Sequence, residues 1–282
     1  MYLRKLLPLL LLLIISFPVL SQENDTIVVV THDSFAVSED ILIQFEEETG
    51  ITVNILRSGD AGQMVNQSVL SKNNPLGDVL FGVDNTFLSR ALNADIFVPY
   101  ESPALEFISD DLILDDEYHV TPVDFGDVCL NYDVAYFEDN ALELPENLSD
   151  LAQPEYSDLL VVENPATSSP GLAFMLATVA EFGTDGDYTF LEYWDDLRKN
   201  GVLVVDGWTE AYYGEFSAPG RDTGTRPLVV SYASSPPAEV YFSDPMPEDA
   251  VTGAIVADNM CFRQIEFVGV LDGANNIEGA QK

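Results

Sequence analysis

The chain has 282 residues, 47% of them hydrophobic, and carries 48 acidic against 11 basic residues, for a formal net charge of −37. That is enough apolar material for one or two domains with a sizeable core. The acid surplus excludes nucleic acid as a partner, because phosphate binding needs a basic patch that the sequence lacks. It leaves steering of a cationic ligand, beside a general solubilising role for acid spread along the whole chain.

The opening "MYLRKLLPLLLLLIISFPVLSQEN" reads as a secretory signal peptide. Arg4 and Lys5 form the charged start, an apolar run follows to Leu20, and Val19 and Ser21 set small residues before a cut at Gln22. The run is short for a membrane span and contains Pro8 and Pro18. Residues 1–21 are therefore expected to be removed on export, and the mature chain is expected in the periplasm, outside the cell or on its surface. Export leaves two cysteines, Cys129 and Cys261, in an oxidising compartment. A disulfide between them or two buried thiols both fit.

Beyond the leader, strand and helix alternate. "TIVVVTHDSF" reads as a strand into a turn, and "AVSEDILIQFEEETG" as a helix with Val37, Ile41 and Phe45 every four residues and Gly50 as its stop. "ITVNILR" is a strand, "GQMVNQSVLSK" a helix, "GDVLFG" a strand and "VDNTFLSRAL" a turn and helix. This order predicts a mostly parallel sheet with helices on its faces. Ligands of such sheets bind outside the carboxyl ends of the strands, here the turns His32–Phe35, Gly59–Gly62 and Asp84–Asn85.

The long extended run "YHVTPVDFGDVCLNYDVAYF" breaks the alternation and reads as a strand passing into a second lobe. There "LLVVENP", "VLVVDG" and "PLVVSY" read as strands, and "TSSPGLAFMLATVAEFG", "DYTFLEYWDDLRKNG" and "WTEAYYGEF" as helices. "CFRQIEFVGVL" reads as the strand that returns. Two crossings give discontinuous lobes, 22–126 plus 262–282 and 127–261, in the layout of a hinged clamp. The final "NNIEGAQK" looks like the first turns of a helix, and truncation at the C-terminus is expected.

Three features suggest a binding cleft. In "TSSPG", Ser169 suits an N-cap and Pro170 the first helical position, with Ser168 adjacent; a helix start of this kind holds an anion without Lys or Arg, or is an ordinary cap. Trp208 and Tyr232 lie at the carboxyl ends of strands and are expected to sandwich a flat cationic ring. Asp33, Asp60 and Asp84 on the other lobe are expected to balance its charge. Tyr212 and Tyr213 read as packing residues. Catalysis has no support. The chain has two histidines, His32 and His119, and contains no metal-ligand spacing, nucleophile elbow or phosphate loop. No enzyme activity and no cofactor are expected.

The motifs "THDSF", "GVDN", "VDFGDVCLNYD", "NPATSSPGLAF", "GWTEAYYGEF", "VVSYASSPPAEVYF" and "FRQIEFVGVL", in this order and spacing, resemble the thiamine-binding periplasmic proteins of ABC transporters, within the two-lobed extracellular solute-binding proteins. The resemblance runs from about Thr26 to the last residue. It implies an α/β, type II-like periplasmic-binding fold and a monomer that captures thiamine or its phosphate esters for a membrane permease. It places ligand contacts on Asp60, Ala61, Ser168, Ser169, Trp208 and the run Tyr232, Ala233, Ser234 and Ser235, with the turn His32, Asp33 and Ser34 lining the pocket. His32, Ala61 and Ala233 stand where the family usually has Tyr, Gly and Thr. Two other readings remain open at this point: a ferric-ion receptor of the same fold, using Tyr212, Tyr213 and His32, and a secreted binding module with no transport role.

Overall fold

The computed structural model describes residues 26–218 and 224–282; the expected signal peptide lies outside the described residues. In the first half, β1 (Thr26–Thr31), β2 (Thr52–Arg57) and β3 (Val79–Asp84) alternate with α1 (Glu39–Thr49), α2 (Ala61–Leu70) and α3 (Leu88–Asn93). β1 pairs in parallel with both β2 and β3. Local signals set these boundaries. Gly50 ends α1 in the left-handed region at φ 73°, and Asp60 caps α2 in a reciprocal capping box with Gln63.

β4 (Thr121–Asp133) then crosses to the second half, which contains α4 (Val134–Asn140), β5 (Leu160–Glu163), α5 (Ser169–Phe182), α6 (Phe190–Lys199), β6 (Leu203–Val205), β7 (Leu228–Tyr232), α7 (Ser235–Phe242) and β8 (Thr252–Ile255). β9 (Phe262–Val270) returns, and α8 (Ile277–Ala280) follows. One mixed sheet results, in the order β2-β1-β3-β9-β4-β7-β5-β6, with β8 on β4.

β4 joins the two halves by changing partners. Thr121 to Val128 pair antiparallel with β9, whereas Val128 to Tyr232 begins the pairing with β7, and Leu130 to Asp133 pair with β8. Cys129 and Cys261 form a disulfide at this changeover, with Cα atoms 4.4 Å apart.

Each half has its own core. Val30, Met64, Leu80, Phe87 and Phe267 are buried in the first, and Leu130, Phe137, Leu148, Tyr193 and Val230 in the second. In the second half both sheet faces are covered: Leu160, Val162, Leu228 and Val230 face one cluster, and Val161 and Val229 face another that includes Tyr212 and Phe216. That two-sided burial is why these strands read as continuous apolar runs.

Several expectations differ from the structure. The sheet is mixed instead of mostly parallel, because β4 and β9 run antiparallel to their neighbours, and α5 is capped by Ser168 with Ser169 as its first residue. The stripe on α1 does not enter a core: α1 has no buried residue, and Val37 and Ile41 are 38% and 54% exposed, walling an open apolar groove. The helix expected over "WTEAYYGEF" is a π-helical turn, Glu210–Glu215. Hydrophobic period signals an amphipathic helix but says neither what covers its face nor how tightly it is wound.

The disulfide closes a loop of 132 residues in sequence. Replacing Cys129 and Cys261 by Ala is expected to lower the unfolding free energy by about 2–4 kcal/mol. Urea denaturation under oxidising conditions checks this, and an unchanged midpoint would contradict it.

Candidate functional site

A cavity of about 440 Å³ lies between the two halves, where the carboxyl ends of β3, β7 and the segment after β6 converge. One wall comes from the first half: His32, Ser34, Asp60, Ala61 and Asp84. The opposite wall carries Ser169, Pro170, Trp208, Tyr232, Ser234 and Ser235. The floor comes from the two crossing strands, Asp124, Phe125 and Gly126 of β4 beside Gln264 and Glu266 of β9. Among the described residues no Lys or Arg lines it. A larger space of about 530 Å³ lies elsewhere, among Tyr100, Phe107, His119 and β9, with no wall from the second half. Volume alone does not identify a site. The interlobe cavity has the convergent polar groups and rings that a small-molecule site needs.

The walls are tied across the gap by carboxylates of one half on donors of the other. Asp60 Oδ1 accepts from its own helix start, Ala61 N, at 2.7 Å, and Oδ2 accepts from Trp208 N at 2.9 Å. Asp84 is buried, accepts from Thr86 N at 2.8 Å, and accepts from the Ser169 hydroxyl at the start of α5. Gly62 N donates to Thr167 O at 2.9 Å. Gly62 is required for this approach, because a Cβ there would stand 2.8 Å from the Thr167 carbonyl and 2.6 Å from Phe87.

Trp208 and Tyr232 meet edge to face, with centroids 6.3 Å apart at 61°, and do not form the expected sandwich. Trp208 stacks instead on Tyr212 at 5.0 Å and 15°. One face of its indole is thereby covered, and its Nε1 is fixed by a 2.9 Å bond to Ser231 Oγ. Tyr212 is buried in the core, whereas Tyr213 is 56% exposed and packs edge-on against Trp208. Tyr232 exchanges hydrogen bonds with Gln264 on the floor.

The floor was not foreseen. Asp124 and Glu266 are directly opposite in the antiparallel register of β4 and β9, as are Gly126 and Gln264. Like charges so placed repel. Burial, then the Glu266 charge, pushes the Asp124 carboxyl up to about 6. Burial likewise pushes Asp84 up to about 6, against the opposing hydrogen bonds from Ser169 and Thr86. His32 bonds Glu266 through Nε2 and Ser34 through Nδ1, both at 3.0 Å. Burial works against its positive charge, but the Glu266 hydrogen bond and the surrounding carboxylates raise it overall. Glu163, fully buried at the end of β5, is held well above the usual carboxylate range by desolvation.

Of the residues selected from sequence, the structure brings together His32, Ser34, Asp60, Ala61, Asp84, Ser169, Trp208, Tyr232, Ser234 and Ser235. Asp33, Ser168 and Ala233 do not line the cavity. Asp33 accepts from Gly59 N and lies in an adjoining cleft of about 340 Å³ that shares Ser34, Asp60 and Trp208 with the cavity and adds Asp206 and Glu210. Ser168 is fully buried under α5, and Ala233 N donates to Asp127 O. The signal for the floor was present as alternation on the crossing strands, in "DFG" and "QIE", but alternation does not reveal register. Among the described residues no group of three His, Cys, Asp or Glu could hold a metal ion.

Comparison with known proteins gives a consistent set. A family model, bacterial extracellular solute-binding protein, matches residues 74–232. The thiamine-binding periplasmic protein of Brucella suis biovar 1 (strain 1330) is 28% identical over 241 residues, covering 84% of this chain and 67% of that one. Its counterpart in Escherichia coli (strain K12) is 28% identical over 238 residues, covering 83% and 67%. Among solved structures, a periplasmic thiamin binding protein superposes with a TM-score of 0.74 at 23% identity, covering 91% of this chain and 76% of that one. Iron-bound HitA from Pseudomonas aeruginosa gives 0.68 at 17% identity, covering 91% and 78%. These likenesses show the two-lobed fold of periplasmic binding proteins.

The raised carboxyls set a pH dependence. Asp84 and Asp124 bind protons at higher pH folded than unfolded, so they contribute stability below their ordinary values near 4 that is lost as pH rises through about 6. The thermal midpoint of the ligand-free protein is expected to fall between pH 5 and 7, and Asp84→Asn to flatten that slope. An identical slope in the variant would contradict the assignment.

Proposed function

The chain belongs to the bacterial extracellular solute-binding proteins, and from that membership we propose that it captures thiamine in the interlobe cavity and delivers it to the permease of an ABC transporter. The single observation that carries this reading is the pairing of an aromatic corner, Trp208 and Tyr232, with a floor and far wall of carboxylates and, among the described residues, no Lys or Arg. Thiamine combines a permanently cationic thiazolium with a flat pyrimidine. Such a cation gains from ring faces and from nearby carboxylates together. The names of the relatives point the same way.

In this reading Trp208 and Tyr232 contact the rings, Asp84, Asp124 and Glu266 face the cation, and Ser34, Ser234 and Ser235 offer hydroxyls. Asp60 acts through the backbone of Trp208, as a clasp between lobes. The lobes are 22–126 with 262–282 and 127–261, and closing one on the other buries the ligand. Delivery to a permease implies a periplasmic location, reached by cleavage after Ser21, and action as a monomer. Binding and release without chemistry suffice, so no enzymatic role is assigned.

The ferric alternative draws on fold neighbours that bind iron. Against it, Tyr212 is a core residue stacked under Trp208, neither Tyr212 nor Tyr213 lines the cavity, and His32 is engaged by Glu266 and Ser34.

Trp208→Ala is expected to weaken thiamine binding by about 2 kcal/mol or more, as loss of an aromatic anchor does. Isothermal titration checks this, and unchanged affinity would remove Trp208 from the site. A thermal-shift panel of thiamine, spermidine and ferric ion is expected to stabilise the protein with thiamine alone. A shift with iron and none with thiamine would overturn the assignment.

A further inference from the structure

We propose that Gly126 is a specificity-determining position of the cavity: its bare backbone is the part of the floor on which a flat ring of the ligand lies, and it is glycine for the ligand and not for the fold. This inference rests on the thiamine reading above and deepens it, because it assigns the place where a ring is admitted.

Glycine inside a strand is a weak choice, because it has no side chain to pack and loses more chain entropy on folding than other residues. It is kept where another group needs the space. At several glycines of this chain that group is the protein itself. A Cβ at Gly171 would stand 2.3 Å from the Glu163 carbonyl oxygen, and one at Gly269 would stand 2.6 Å from the Phe97 ring. At Gly82 the backbone adds its own demand, with φ at 102°.

Gly126 meets neither demand. Its φ lies outside the left-handed region, and a Cβ there would meet Tyr232 Cδ1 at 3.7 Å, an ordinary van der Waals contact. Apart from its chain neighbours, nothing else among the described residues comes within 4 Å of that position. The strand fixes where the empty space lies. Gly126 pairs with Gln264, and Asp124, two residues before it, pairs with Glu266. Residues two apart share a sheet face, so the absent side chain would project on the face that carries these groups, which is the cavity floor.

The neighbours leave this gap open. Gln264 exchanges hydrogen bonds with the Tyr232 hydroxyl at 3.4 and 3.2 Å, which holds the Tyr232 ring to one side of Gly126. Trp208 stands beyond it, edge to face. A flat ring entering this corner meets peptide backbone at Gly126 and approaches the floor by the depth of a side chain. Asp124 lies about 7 Å along the strand, near enough to face the ligand's charge without filling the gap. Any side chain at position 126 would occupy the depth that the ring needs.

Two measurements on Gly126→Ala and Gly126→Val in the full chain test this together: the thermal midpoint without ligand, and isothermal titration with thiamine. Both variants are expected to melt at or above the wild-type midpoint, because a strand gains from a side chain that its backbone and neighbours accept. Thiamine is expected to bind the Ala variant about fivefold more weakly and the Val variant about thirtyfold more weakly, as added methyl groups overpack an occupied site. A glycine required by the fold gives the opposite pattern, with lower midpoints in both. Wild-type affinity in both variants, or midpoints lowered in both, would overturn the inference while leaving the receptor assignment intact. Should Val alone destabilise the strand, the Ala variant decides. Failure of the wild-type protein to bind thiamine would overturn the thiamine reading, and this inference with it.

Discussion

Two carboxylates of one lobe rest on donors of the other, and the cavity exists because of them. Asp60 reaches Trp208 N at 2.9 Å, and Asp84 accepts from Ser169 at the start of α5. Charge-assisted bonds of this kind are the stronger ones in proteins, and helix starts favour negative charge. Their placement holds Trp208 facing the first lobe and brings the strand ends of both halves around one space. It also sets the Asp84 carboxylate against the positive end of α5. In a chain this acidic, closure draws on backbone amides and hydroxyls instead of on basic side chains.

The hinge gives that clasp its geometry. β4 exchanges its partner β9 for β8 near Val128, and the disulfide between Cys129 and Cys261 fixes the two crossing strands at that point. The strands beyond it then form the floor. Their register, Asp124 against Glu266 and Gly126 against Gln264, places acid at the centre and leaves room where glycine has no side chain. Floor and clasp are thus two consequences of one crossing.

Much of this was legible in sequence. Apolar runs bounded by Gly and Pro located the strands, Gly50 and the Ser–Pro start located helix ends, and strand-end position selected Trp208 and Tyr232. What local pattern lacks is register and partnership. Alternation in "VDFGD" and "RQIEF" marks extended chain but cannot say that Asp124 faces Glu266. The aromatic cluster in "GWTEAYYGEF" is visible, yet only packing decides that Trp208 stacks on Tyr212 and meets Tyr232 edge-on. Ser168 and Ala233 sit next to cavity residues in the chain and face elsewhere, because neighbours in a turn diverge. The stripe on α1 had the period of a core helix, and no core covers it in the described chain.

A crystal structure of the full chain with thiamine tests the central claim directly, that an aromatic corner over a carboxylate floor forms a seat for a flat organic cation. One ring of the ligand is expected against the open face of Trp208 or Tyr232, with the thiazolium directed toward Asp124 and Glu266 and with Asp84 still bonded to Ser169. Thiamine held outside the interlobe cavity, or seated with its thiazolium turned away from the floor and Asp84 displaced from α5, would contradict it.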